Sequence, residues 1–279
     1  MSSSSSDSVK SKLRLHGLIW ALMIPYAYIS YVAIKFFHEI IGHGIISSFL
    51  GIEWHGFGLT SVSVTIPPNT SAWAYAAFYL SGNAAVFLSG IVIFKLISRR
   101  IKRPSIRFML ISIATVCFLT ATLPAALIFW MTDNDYISFL ISTGNASLPL
   151  TILTALFGAL TFFYTGSYSL TRLLEEAWTG LDTPDKKYRF AFMTIGVPLN
   201  FMFLILTLYF SLIDYDNAWL VLSMVMALWF NLSLPSISAQ VKAQPERQRV
   251  RKVGLLIISS IALLLLIVHY TTRNMMITW

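Results

Sequence analysis

Charge is what this sequence has least of. Only 11% of its 279 residues are charged, where a soluble domain carries roughly 25%. A soluble globule of this size needs a polar shell that so few charges cannot supply, so a soluble enzyme is excluded. Cysteine is nearly absent. Cys117 stands alone, which excludes a disulfide scaffold, since it has no partner within the chain. Acidic residues number 12 against 20 basic ones, for a net charge of +8. That balance can signal nucleic acid. Here, however, the basic residues sit between long apolar runs, the pattern of a polytopic membrane protein. Hydrophobic residues at 56% and a mean hydropathy of +0.71 exclude a disordered chain.

A membrane-crossing helix needs about 20 mostly apolar residues. Seven such stretches are present, near 17–37, 72–97, 107–131, 148–170, 190–213, 217–236 and 253–271. The expected fold is therefore an all-α, polytopic transmembrane bundle. A tail over 1–14 precedes a single membrane domain over 15–273. The tail opens with a serine-rich run expected to be disordered, and no small-x-small cleavage site follows the first apolar run. That run continues to Leu50, so its helix is either long and tilted or followed by a second, half-buried one.

Lys and Arg set the orientation. Of the 20 basic residues, 17 fall before the first span or in the connections between spans two and three, four and five, and six and seven. The opposite connections hold none. The positive-inside rule puts the N-terminus in the cytoplasm and the C-terminus outside. The basic run over 242–252 suits contact with anionic lipid. An outer loop, 51–71, carries no Lys or Arg, and 59–66 alternates like a strand until Pro67-Pro68 ends it. A second outer segment, 133–147, is too short to cross and reads as interfacial or re-entrant. Asn69-Thr-Ser and Asn145-Ala-Ser on this side are sequons. No internal repeat of the inverted-transporter kind is visible.

The first apolar run ends in Phe37-His38-Glu39-Ile40-Ile41-Gly42-His43-Gly44. Ionisable residues in or beside a membrane helix are costly and mark functional sites. Two His and a Glu within six residues form a metal-site pattern. A zinc protease places its His residues four apart, on one helix face, with the Glu as general base. His38 and His43 are five apart, which on a regular helix is about 140°. Sharing a metal therefore requires a π-turn or a break, and Gly42 makes such distortion cheap. Alternatively Glu39 and His43, four apart, are the ligands, with His38 behind them. Glu39 is also four from Lys35, the spacing of a simple ion pair.

The sequence here resembles the site-2 protease family of intramembrane zinc metalloproteases. The resemblance rests on His38-Glu39 with Gly42-His43-Gly44, then Ser48-Phe49-Leu50-Gly51, the strand-like stretch, and Leu80-Ser81-Gly82-Asn83. It spans residues 30–95, about a quarter of the chain. It departs from the family in the extra residue between the two His and in lacking the Leu-Asp-Gly segment that supplies the third ligand there. The resemblance implies an integral-membrane hydrolase that cleaves membrane-embedded peptides, with Zn2+ as cofactor and a transmembrane protein as substrate. His38 and His43 would hold the metal, Glu39 would be the base, and a donor such as Asn83 would stabilise the oxyanion.

A catalytic zinc takes three protein ligands and keeps a place for water. Outer-side candidates for the third are Asp135, Asp133, His55 and His269, with Glu53, Asp214 and Asp216 behind them. Asp135 ranks first because it heads a partly apolar segment and can point inward. Other readings are a non-catalytic membrane binding protein (a pseudoprotease), a transporter, or a membrane lipid-amide hydrolase. Seven-span hydrolases with several His in late spans fit poorly, since the late spans offer only His269.

Overall fold

The computed structural model describes residues 25, 28–58, 62–129, 135–177, 232–239, 252–272 and 277–278. Among the described residues four helices are long and apolar enough to cross a membrane: Tyr28–Phe49, Ala72–Arg100, Ile106–Ala126 and Leu148–Glu175. In chain order the elements are α1 (Tyr28–Phe49), β1 (Glu53–Phe57), β2 (Val62–Thr65), α2 (Ala72–Arg100), α3 (Pro104–Ala126), α4 (Asp135–Ser142), α5 (Leu148–Ala177), α6 (232–239), α7 (Lys252–Thr272) and β3 (Ile277–Thr278). The expected spans over 72–97, 107–131 and 148–170 coincide with α2, α3 and α5. Helix α7 covers the expected 253–271. The stretches 190–213 and 217–231 lie outside the described residues.

Two points sharpen the sequence reading. Beyond the expected span over 17–37, the apolar run to Leu50 left open one long helix or a second, half-buried one; α1 is continuous to Phe49, so His38 and His43 lie within a membrane-length helix. The apolar residues after His43 keep it going, and it ends only where Gly51 takes a positive φ of 72°. There the Ile52 amide donates back to the Ser47 carbonyl at 3.0 Å, closing a Schellman cap. The chain is mostly helical, as expected, and adds a small sheet in the order β2-β1-β3, antiparallel throughout. Strand β2 falls within the alternating stretch. Strands β1 and β3 are too short, at five and two residues, to show a period. The β1–β2 register shifts between Trp54 and Gly56, where the Trp54 indole N–H donates to the Gly56 carbonyl at 2.9 Å.

The chain divides into two compact units. The larger joins Tyr28–Arg100, Leu110–Ser169 and Leu264–Trp279. Within it α2 is the central helix. Its start is capped by the Ser71 hydroxyl, which accepts from the Ala74 amide at 3.2 Å. Small residues set its crossings, as expected where no hydrophobic force separates helix from lipid. A Cβ on Gly90 would stand 2.9 Å from the Phe118 ring of α3, and a Cβ on Gly42 of α1 only 2.5 Å from the Gly82 Cα. Further along, the Lys95 ammonium lies 5.5 Å over the Tyr168 ring of α5. Helix α3 is largely buried, and its hydroxyls bond their own helix: Thr115 to the Ile111 carbonyl and Thr122 to that of Phe118, both at 2.8 Å. Helix α5 instead presents Leu153, Leu156, Phe157, Leu160 and Phe163 outward, the surface of a helix bathed in lipid. The smaller unit joins Met1–Ala27, Ile101–Met109 and Leu170–Leu263. In it the buried Glu175 carboxylate accepts from Arg172 at 2.7 Å.

Gly158 of α5 tests the packing. A Cβ there would stand 2.5 Å from the Ala126 backbone nitrogen, which cannot yield as a side chain can. Gly158→Ala is expected to destabilise by about 1–3 kcal/mol and Gly90→Ala, which meets only side chains, by less. Thermal unfolding in detergent measures both.

Candidate metal centre

The site begins with the backbone of α1. From Phe36 to Ile45 the helix is a π-helix, closed by hydrogen bonds one residue longer than usual. The wider turn brings residues five apart onto one face. The His38 and His43 rings meet edge-on, with centroids 4.8 Å apart at 82°, and their Nε2 atoms are 3.1 Å apart. The expectation of a π-turn here is borne out.

Glycines make the room. Gly42 lets α1 lie against the backbone of α2 at Gly82. Gly82 in turn has no side chain where the two imidazoles meet: a Cβ there would be 2.7 Å from both His38 Cε1 and His43 Nε2. On the other side the Trp54 ring of β1 rests on Gly44, 3.0 Å from where a Cβ would be. The sheet thus holds the π-turn from outside while α2 floors it.

Asp135, the first residue of α4, completes the cluster. Its Oδ2 is 3.2 Å from His38 Nε2 and 3.7 Å from His43 Nε2. Asn83, buried on α2, donates from Nδ2 to that same oxygen at 3.1 Å. His43 Nδ1 lies 3.0 Å from the Phe78 carbonyl. A carbonyl can only accept, so Nδ1 carries the proton, and the neutral ring then presents a lone pair at Nε2. This is the arrangement by which metal-binding imidazoles are oriented from behind. Three potential ligand atoms consequently face one point from α1 and α4.

The spacing can be compared with what a metal requires. Tetrahedral zinc with bonds of about 2.0–2.1 Å places neighbouring ligand atoms roughly 3.3 Å apart. The three edges here are 3.1, 3.2 and 3.7 Å. Burial acts to raise the Asp135 carboxyl, but whenever the two rings are protonated their hydrogen bonds, and then their positive charge, outweigh it and hold the carboxyl well below the usual carboxylate range. The neighbouring Tyr136 is pushed up by burial and then by the Asp135 charge, and its hydroxyl donates to the Ala121 carbonyl at 2.7 Å.

Among the described residues His38, His43 and Asp135 form the one group of three close enough to hold an ion. Of the alternatives weighed in the sequence, it is His38 that meets His43. Glu39 accepts from Lys35 Nζ at 3.3 Å, as its spacing allowed. Asn83 reaches the site through Asp135. Glu53 and His55 form a separate exposed pair on β1, 3.8 Å apart, with His55 also 2.9 Å from the Thr65 hydroxyl. His269 is on α7, and Asp133, Asp214 and Asp216 lie outside the described residues. The Phe78 carbonyl was not foreseen, since a backbone acceptor leaves no mark in the sequence. No protein-family model matches the chain, and neither does any curated protein or solved structure.

Gly82→Ala is expected to force the two imidazoles apart. In metal-free protein it should cost about 1–3 kcal/mol, read as a lowered thermal midpoint.

Proposed function

We propose that the chain is an integral-membrane, zinc-dependent hydrolase of site-2 protease type that cleaves membrane-embedded peptides. The observation that carries this reading is the convergence of His38 Nε2, His43 Nε2 and Asp135 Oδ2 on one point, beside a Glu that directly follows the first His. Bound zinc would polarise the substrate carbonyl and lower the pKa of a water toward about 7. The residues divide the remaining work. Phe78 fixes the tautomer of His43, and Asn83 aims the Asp135 carboxylate. Asn83 is therefore assigned to orienting a ligand ahead of stabilising an oxyanion. Glu39 leaves Lys35 to take the proton of the attacking water.

Elemental analysis and cleavage of a single-span reporter peptide test this together. Wild type should hold stoichiometric zinc, while His38→Ala, His43→Ala and Asp135→Ala lose most of it. Asn83→Ala should weaken zinc binding by about 10–100-fold. Glu39→Gln should keep zinc and abolish cleavage, and Lys35→Met should leave cleavage equal or higher. Loss of zinc in Glu39→Gln would make Glu39 a ligand. A second reading, a metal-binding pseudoprotease that recognises membrane partners, is favoured by the Lys35–Glu39 pair, which occupies the base. Full activity in Glu39→Gln, or none in wild type holding zinc, selects that reading over the first.

The topology belongs to the same proposal: seven spans, N-terminus cytoplasmic, C-terminus outside. The pairing of β3 with β1 supports it, because it puts the last strand at the same end of the molecule as the loop after α1. In a Cys117→Ala background, Asn69→Cys and Lys102→Cys should react with an impermeant thiol reagent from opposite sides of the membrane. Labelling from one side would overturn the orientation.

A further inference from the structure

From the Asn83–Asp135 hydrogen bond, α2 and α4 run antiparallel. Beyond it they leave a cavity of about 320 Å³ between them, lined by Ala72, Tyr75 and Tyr79 on one helix and Ser138, Ile141 and Ser142 on the other. These positions continue the faces that carry the cluster. Tyr79 is four residues before Asn83, about 6 Å along the helix, and Ser138 three after Asp135, about 4.5 Å. The cavity therefore starts one turn from the candidate metal centre. It leads toward the capped start of α2, on the side of the loop that has no basic residue.

Its lining is apolar in effect. The Tyr75 and Tyr79 rings stack at 6.1 Å and 29°. The Ser142 hydroxyl is spent on the Phe139 carbonyl at 2.9 Å. No charged side chain lines the cavity. Ile141, 62% exposed, forms its open rim. The volume is at the low end for ligand pockets, which run from about 300 to 1,000 Å³. The seven helical steps of α2 from Ala72 to Tyr79 give a length of roughly 10 Å. That suits one large side chain with its adjoining peptide bonds better than an acyl chain, which would run on past Ala72.

We propose that this cavity is the subsite for a large apolar side chain, of the Leu or Phe class, next to the scissile bond of a polypeptide substrate. The word scissile rests on the hydrolase reading, whereas the class of side chain bound does not. Ile141 at the rim and Tyr79 at the inner end set the size accepted.

The test uses full-length, zinc-loaded protein in detergent and synthetic single-span peptides that differ at one central position, Ala, Leu, Phe or Asp. Wild type should favour Leu and Phe over Ala and Asp by about tenfold or more in kcat/KM, the discrimination an apolar pocket gives. Ile141→Trp narrows the rim and should move the preference toward Ala. Ile141→Ala widens it and should favour Phe further. Zinc content should stay at the wild-type level in both. In parallel, a photoreactive benzoylphenylalanine at position 142 reads binding without cleavage. It should capture the Leu and Phe peptides over the others, and Ile141→Trp should reduce that capture. Cleavage whose side-chain preference ignores both Ile141 variants would overturn the subsite and leave the hydrolase standing. Selective capture without any cleavage would do the reverse. Capture that is indifferent to the central residue, or capture of a photoreactive fatty acid in place of the peptides, would also overturn the subsite.

Discussion

The close approach of α1 and α2 at Gly42 and Gly82 is the contact on which the rest depends. It is an approach of backbone to backbone, so it has no side-chain slack. With Gly42 seated there, α1 must turn its next polar residue, His43, along α2. The ring then finds the Phe78 carbonyl one turn before Gly82. With Gly82 bare, the same crossing leaves the space in which His38 can meet it. Neither imidazole could be where it is if either glycine carried a methyl group.

The π-turn is the second half of the same arrangement. A regular helix would send the two rings about 140° apart. The widened turn recovers one face, and it is held on both sides, by Trp54 on Gly44 and by α2 beneath Gly42. Asp135 then approaches from a helix of eight residues that ends in another Schellman cap, with Gly144 at a φ of 68° and the Asn145 amide donating to the Leu140 carbonyl at 2.9 Å. Asn83 supplies the link between that short helix and α2. The proposed ligand set is thus carried by one long, distorted helix and one short, capped one.

Much of this was legible in the sequence. Membrane-length helices follow from apolar runs, and α2, α3 and α5 fall where those runs lie. The irregular turn follows from a spacing of five, which a regular helix cannot use. Asp135 stands out as a carboxylate at the head of an apolar segment. Other parts were not legible. The end of α1 depends on a Gly51 cap whose signal is local, while the apolar run to Leu50 could not tell one long helix from two. Strands of five and two residues carry no period, so β1 and β3 emerge only through pairing between distant parts of the chain. The contact of Lys95 with the Tyr168 ring is made by tertiary packing and leaves no mark in the sequence.

The Lys35–Glu39 pair has a consequence for how the protein is made. A bare charge in a membrane helix is expensive, and α1 carries one of each sign. Because they are one turn apart, they can neutralise each other inside α1, before the helices that follow it have been synthesised. Asp135, the acid with no acidic or basic neighbour on its own short helix, sits on α4, which at eight residues is too short to span, and comes much later in the chain. Biosynthesis therefore never requires an unpaired carboxylate to cross with α1. The cluster can close only once α2 has inserted and α4 has docked on it.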